Sequence, residues 1–249
     1  MEFSEKGIVF FPDPHLIGTP ADFGLNYDEV WFEAADGVKL HGWWVPQPGA
    51  PVFLWFHGNA GNISHRLENL HLLRHLAGVQ VFIFDYREYG RSQGRITREG
   101  TFLDAAAAYQ YVAETRAIPG RDLVLFGRSL GTALATDLAV QAPCRCLILE
   151  SPFTNSEDMA RLYAPFYFDW RPSIPYDNVG KIGQVKVPVM VIHGEHDEII
   201  PVEMGRRVYD AAPEPKELYV IPRAHHNDTY LVGGKAYFDR LRNFIYRPG

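Results

Sequence analysis

The chain has 249 residues, 47% of them hydrophobic and 22% charged, with a formal net charge of −6. These proportions belong to an ordinary globular protein able to bury an ample core, and the acidic balance, with no Lys/Arg-rich run, argues against a nucleic-acid or anionic-membrane partner. The apolar runs stop well short of the roughly 20 residues of a membrane span, and residues 1–6 lack the basic start and apolar middle of a secretory leader, so the expectation is a cytoplasmic chain.

Residues 1–27 carry several prolines and glycines without a period and are expected to form an irregular lead-in. Residues 28–34 and 38–45 flank Ala35-Asp36-Gly37 and predict a β-hairpin on an Asp-Gly turn. From there short continuous apolar runs alternate with helical periods, as in parallel strands covered on both faces. Residues 52–56 form the first such strand. Ile63, Leu67, Leu70, Leu73 and Leu76 mark the helix after it, ended by Gly78. Residues 79–84 lead into a polar, aromatic loop at 85–92. Thr101 with Asp104 three residues on reads as an acidic capping box, so the next helix is expected to open there and to close before Pro119-Gly120. Residues 123–126 form a strand, the helix beyond must stop by Pro143, and residues 146–149 form the next strand. Cys144 and Cys146 make no disulfide framework or metal pattern and read as reduced thiols. Between about 155 and 184 the rhythm breaks in a segment holding Tyr163, Phe166, Tyr167, Phe168 and Trp170, which is where a lid would lie. A strand at 187–193, a helix from Pro201 to about 211, a strand at 218–221 and a final helix with Tyr237, Leu241, Phe244 and Ile245 on one face complete the pattern. No repeat or linker interrupts it, so one domain over 1–249 with a small insertion at 152–184 is expected.

Gly127-Arg128-Ser129-Leu130-Gly131 stands between a strand-like run and the small-residue run 132–136, and there G-x-S-x-G reads as a nucleophile elbow. A serine hydroxyl needs a base to take its proton, and the base needs a carboxylate to fix its tautomer. Both must come from turns at the C-terminal edge of the sheet. Asp197 follows one strand and His226 the next. The residues alone leave His225 open beside His226, and Glu195 or Glu150 beside Asp197. An oxyanion hole needs two N–H donors: the amide of Leu130 after the serine, and that of Asn59 in the loop His57-Gly58-Asn59. His57 is expected to order that loop, Asp85 and Asp228 to stabilise theirs, and His193 and His196 to be turn residues. A metal site from His193, His196, His225 and His226 is conceivable, but the triad already accounts for both turns, and no metal or other cofactor is expected. Arg128 would touch an anionic substrate group or pair with a carboxylate.

Together His57-Gly58-Asn59-Ala60-Gly61-Asn62, residues 85–92, the pentapeptide, Glu150-Ser151-Pro152-Phe153, His193-Gly194-Glu195-His196-Asp197 and His226-Asn227-Asp228 resemble the α/β-hydrolase superfamily. Within it they resemble the subgroup of α/β-hydrolase-domain protein depalmitoylases and their bacterial relatives. The resemblance spans about residues 50–230. It implies an α/β-hydrolase fold: a mostly parallel eight-stranded sheet with an antiparallel N-terminal hairpin, helices on both faces and a short lid. It further implies a serine hydrolase of carboxylic esters, with thioesters next, acting through an acyl-enzyme on Ser129 with Asp197 orienting the base. Asn227-Asp228 aligns His226 with the family base, although the residue before it is His225 where the subgroup usually has glycine. An amidase or peptidase with the same triad, or a binding protein on this scaffold, would be the other readings. Tyr163, Phe166 and Tyr167 are candidate substrate-lining residues, and a small-molecule acyl ester or thioester is the expected partner.

Overall fold

All five residues of Val52–Phe56 are buried, and they alternate between two apolar layers, with Val52, Leu54 and Phe56 in one and Phe53 and Trp55 in the other. A strand does this only when helices cover both faces. The computed structural model describes residues 6–163 and 174–247. Its strands in chain order are β1 (Phe11–Pro12), β2 (Asp28–Glu33), β3 (Lys39–Val45), β4 (Val52–Phe56), β5 (Ala60–Gly61), β6 (Gln80–Phe84), β7 (Leu123–Arg128), β8 (Cys146–Glu150), β9 (Val189–Gly194) and β10 (Lys216–Ile221). Its helices are α1 (Leu67–Leu72), α2 (Arg98–Gln110), α3 (Leu130–Gln141), α4 (Ser156–Tyr163), α5 (Asn178–Ile182), α6 (Val202–Ala211) and α7 (Thr229–Ile245).

The main sheet has eight strands in the order β10-β9-β8-β7-β4-β6-β3-β2. It is parallel from β10 to β6, while β3 runs antiparallel to both β6 and β2. Apolar side chains of α2, α3, α5 and α6 pack on one face, and those of α1 and α7 on the other. Because the chain leaves β4 for β6 on one side and then crosses to β7 on the other, the ends of β4 and β7 border a topological switch point. In open α/β sheets that is where ligands bind.

Three local expectations are corrected. The second helix opens one turn before Thr101: Thr97 is the cap, its side chain accepting from the Gly100 N–H at 3.0 Å. Thr101 is buried inside the helix and donates to the Arg98 carbonyl, while Asp104 faces Arg87. The lead-in is not wholly irregular, since β1 pairs in parallel with β5; a two-residue strand carries no period to read. The helix after β4 is also less uniform than its leucines suggested, comprising a 3₁₀ turn over Ile63–Arg66, then α1, then a π-turn over Leu73–Ala77. Cys144 and Cys146 are buried free thiols, and burial pushes Cys144 up to about 12. Among the described residues no helix is long and apolar enough to cross a membrane.

Candidate active site

The turn between β7 and α3 holds Ser129 at φ 51° and ψ −118°. A non-glycine residue in that region costs about 1–3 kcal/mol and persists only where its surroundings impose it. Here they do. The Ser129 N–H donates to the Glu150 carbonyl at 2.9 Å, and its carbonyl accepts from the Thr132 N–H at 3.0 Å and the Thr132 hydroxyl at 2.6 Å. The flanking glycines allow α3 to lie against the sheet: a Cβ on Gly131 would fall 2.0 Å from the Phe56 carbonyl, and one on Gly127 would fall 2.5 Å from the Gly131 carbonyl.

Asp197 lies in the turn after β9 and His226 in the turn after β10. Their side chains meet, with His226 Nδ1 at 2.8 Å from Asp197 Oδ2. Facing an ionised carboxylate, Nδ1 carries the proton and donates it, which leaves Nε2 as the basic nitrogen. The other oxygen, Oδ1, accepts from the Ile200 N–H at 2.7 Å and the Ile199 N–H at 3.0 Å. Burial by itself would raise the Asp197 carboxyl, but hydrogen bonds from His193 and His226, the His226 charge and the Ile200 N–H outweigh it. They hold Asp197 well below the usual carboxylate range. Among the described residues no hydrogen bond joins the Ser129 hydroxyl to His226. The two residues are tied instead through Arg128, whose guanidinium donates to the His226 carbonyl at 2.8 Å.

The alternative residues are engaged elsewhere. His225 is 55% exposed and faces Glu198, its Nδ1 at 3.2 Å from Oε2. Glu195 accepts from the Arg223 N–H at 3.1 Å. Glu150 is fully buried, 3.1 Å from Arg128 Nε, and accepts from the Thr229 and Tyr237 hydroxyls. Of the two roles open to Arg128, pairing with a carboxylate is the one the structure gives it. The Asp228 carboxylate caps its own loop, accepting from the His225 N–H at 2.6 Å.

Across the switch point, neither the Asn59 nor the Leu130 N–H donates to a protein acceptor among the described residues. The Asn59 carbonyl is pinned by the Tyr89 hydroxyl at 2.7 Å and the Phe11 N–H at 2.9 Å, so the loop at Asn59 is tied to both the β6 loop and the lead-in. Below, His57 Nδ1 donates to the Gly58 carbonyl at 2.7 Å, and the Tyr86 hydroxyl donates to the His57 carbonyl at 2.9 Å. Asp85 accepts from the Ile63 N–H at 2.9 Å. Burial drops His57 to about 3 and lifts Asp85 to about 8, so at neutral pH both are mainly uncharged.

His193 was expected only to shape a turn, yet it is fully buried, with Nε2 2.8 Å from the Ile200 carbonyl and 3.3 Å from Asp197 Oδ2. Its four-residue spacing from Asp197 was the available signal. Tyr163, at the end of α4, is 58% exposed and donates its hydroxyl to the Ile199 carbonyl at 2.6 Å, tying α4 to the Asp197 turn. Phe166, Tyr167, Phe168 and Trp170 lie outside the described residues. Among the described residues no three His, Cys, Asp or Glu side chains are grouped so as to hold a metal. A surface cleft of about 400 Å³ is lined by Pro51, Gln80, Asp122 and Arg145. These residues stand where strands begin, the edge opposite to the one where such sheets bind ligands.

A parallel sheet with this crossing order, a serine on a strained strand-to-helix turn and an acid–histidine pair from the next two turns define the α/β-hydrolase architecture. Residues 51–181, just over half of the chain, match the family described as alpha/beta hydrolase fold. The chain is 34% identical over 245 residues to an uncharacterised protein of Mycobacterium tuberculosis, covering 97% of this chain and 87% of that protein. It is 34% identical to the alpha/beta hydrolase domain-containing protein WAV2 of Arabidopsis thaliana, covering 92% of this chain and 82% of that one. Among solved structures, the Pyrococcus furiosus esterase Pf2001 superposes with a TM-score of 0.80 at 22% identity, covering 96% of this chain and 97% of the other. The chain belongs to the α/β-hydrolase family.

Proposed function

We propose that this protein is a serine esterase that needs no cofactor. The observation that carries the reading is the 2.8 Å contact between His226 Nδ1 and Asp197, on the sheet edge where Ser129 is held at positive φ. Ser129 Oγ attacks an acyl carbonyl as His226 Nε2 takes its proton, and the carbonyl π pair moves onto oxygen. The N–H groups of Asn59 and Leu130 meet that oxyanion. Collapse breaks the bond to the alcohol, which leaves with the proton held on His226. Water then repeats the sequence on the acyl-enzyme. General-base help contributes about 10²–10⁴ in rate, and each oxyanion donor a further 10²–10³ or so. Because the Asp197 carboxyl is held well below the usual carboxylate range, it faces His226 Nδ1 as an ionised acceptor at neutral pH and leaves Nε2 as the basic nitrogen.

Carboxylic esters are the favoured substrates, with thioesters sharing the scheme, because neither needs an amine to be protonated as it leaves. That the Pyrococcus furiosus protein is described as an esterase agrees in kind. α4, at the start of the insertion expected over 152–184, is tied to the Asp197 turn through Tyr163. The test is Ser129→Ala. It should lower 4-nitrophenyl ester turnover by at least about 10⁴ and abolish fluorophosphonate labelling while leaving the melting temperature near wild type. Undiminished turnover in that variant would sink the mechanism.

A further inference from the structure

We propose that His193 is a positioning residue of the triad, bracing the acid turn from the sheet so that Asp197 meets His226 in one fixed geometry. The proposal deepens the serine-esterase reading and rests on it.

His193 lies on β9, which pairs with β8 on one side and β10 on the other, so its backbone is fixed by the sheet. Its ring reaches across the turn that follows. Nε2 is 2.8 Å from the carbonyl oxygen of Ile200, which can only accept, so Nε2 carries a proton and donates it. The Ile200 N–H in turn donates to Asp197 Oδ1 at 2.7 Å, and Asp197 Oδ2 accepts from His226 Nδ1 at 2.8 Å. An unbroken series of hydrogen bonds therefore runs from the sheet through the acid to the base. His193 Nε2 also lies 3.3 Å from Asp197 Oδ2, the oxygen that His226 uses.

The surroundings hold the ring in this orientation. The side chains of His193 and Asp197 are fully buried, and α6 lies directly against the imidazole: a Cβ on Gly205 would fall 2.2 Å from Nδ1. Nδ1 itself has no hydrogen-bond partner among the described residues. A buried acceptor without a partner costs stability, so packing alone favours an apolar side chain here. What the imidazole supplies is the donor at Nε2. Burial opposes ionisation of Asp197, and the His193 N–H leads the interactions that overcome it.

Oδ1 also accepts from the Ile199 N–H, so loss of the His193 donor should leave the carboxylate in place but less firmly held, with less of the charge on Oδ2 offset. A looser acid orients His226 less well and lowers kcat. A less offset charge holds the proton on His226 more strongly and raises the pH at which activity appears. The other charged and titratable groups around the pair are Arg128, Glu198, His225, Asp228 and, on the Ile199 carbonyl, Tyr163; substitution at 193 leaves all of them in the chain.

The experiment compares wild type, His193→Leu and His193→Gln on 4-nitrophenyl acetate, with active sites counted by fluorophosphonate labelling. Leucine removes the donor, whereas the glutamine amide reaches the position of the imidazole Nε2 and restores it. His193→Leu should lose about 10–10² in kcat per labelled site, with KM within about twofold of wild type. The acid limb of its kcat/KM profile should move up by about half a pH unit. His193→Gln should recover most of both. Gly205→Ala, which displaces the ring without changing it, should lower kcat in the same way. Wild-type kcat per labelled site and an unmoved acid limb in His193→Leu, or a His193→Gln as impaired as His193→Leu, overturns the proposal while leaving the esterase reading intact. Should His193→Leu fail to fold, the NMR spectrum of wild type labelled with ¹⁵N-histidine decides: His193 must be protonated on Nε2, and a ring protonated on Nδ1 alone overturns the proposal. Wild type that neither cleaves the ester nor reacts with the fluorophosphonate overturns both.

Discussion

At the scale of single residues, Asp197 has two effects that one substitution separates. Its Oδ2 orients His226 and its Oδ1 closes the turn through Ile199 and Ile200. In Asp197→Asn an amide facing Nδ1 allows the wrong imidazole tautomer. kcat on 4-nitrophenyl acetate should therefore fall by about 10³–10⁴ while KM changes little, as steady-state kinetics will report. The stability effect follows from the depressed carboxyl. Its contribution is fully present above the unfolded value of about 3.9 and is lost as pH falls from there toward the lower folded value. Urea midpoints measured from pH 6 down to pH 3 should drop more steeply for wild type than for Asp197→Asn.

At the scale of elements, the elbow depends on how closely α3 can approach β4. The Cβ of an alanine at 131 would lie 2.0 Å from a backbone oxygen of the central strand, which cannot move without disturbing its neighbours on both sides. Gly131→Ala should destabilise the protein by at least about 3 kcal/mol, read as a fall in urea midpoint. Gly58 provides the contrast. A Cβ there would sit 3.4 Å from the Ser129 Cβ, an ordinary contact, so Gly58→Ala should fold with a midpoint close to wild type. The small residues of α3 suit the same close packing: Thr132, Ala133, Ala135 and Thr136 are all buried, and the Thr132 and Thr136 hydroxyls bond Asn178 of α5.

At the scale of the whole molecule, Arg87 joins parts of the chain that lie far apart in sequence. Its guanidinium bonds Asp104 of α2 at 2.8 Å and Asp36 of the hairpin turn at 2.7 Å. Both Arg87 and Asp104 are buried. A salt bridge of this kind adds little over an apolar replacement, but removing one partner strands the other charge. Arg87→Met should therefore cost about 3–5 kcal/mol, and Arg87→Met/Asp104→Asn should recover a large part of that loss. Thermal and urea unfolding of the three proteins checks both.

Features that repeat along a single element were legible in the sequence. Continuous apolar runs predicted β4, β6, β7, β8 and β9, because the middle of a strand covered on both faces packs against helices on either side and is apolar. The hairpin and the elbow were equally local, being turns whose chemistry is written in adjacent residues. What remained open depended on which distant groups meet. His225 and His226 are neighbours in sequence, and only the packing of their loop turns one toward Glu198 and the other toward Asp197. Three acidic residues followed strands on the right edge, and only the fold showed that Glu150 is taken by Arg128, Thr229 and Tyr237. Thr97 and Thr101 offered the same cap chemistry, and burial against the rest of the molecule chose between them. Local patterns record how one segment meets water. Which distant side chains meet, as Glu150 meets Arg128, is a property of the assembled neighbourhood and is decided only when the chain has folded.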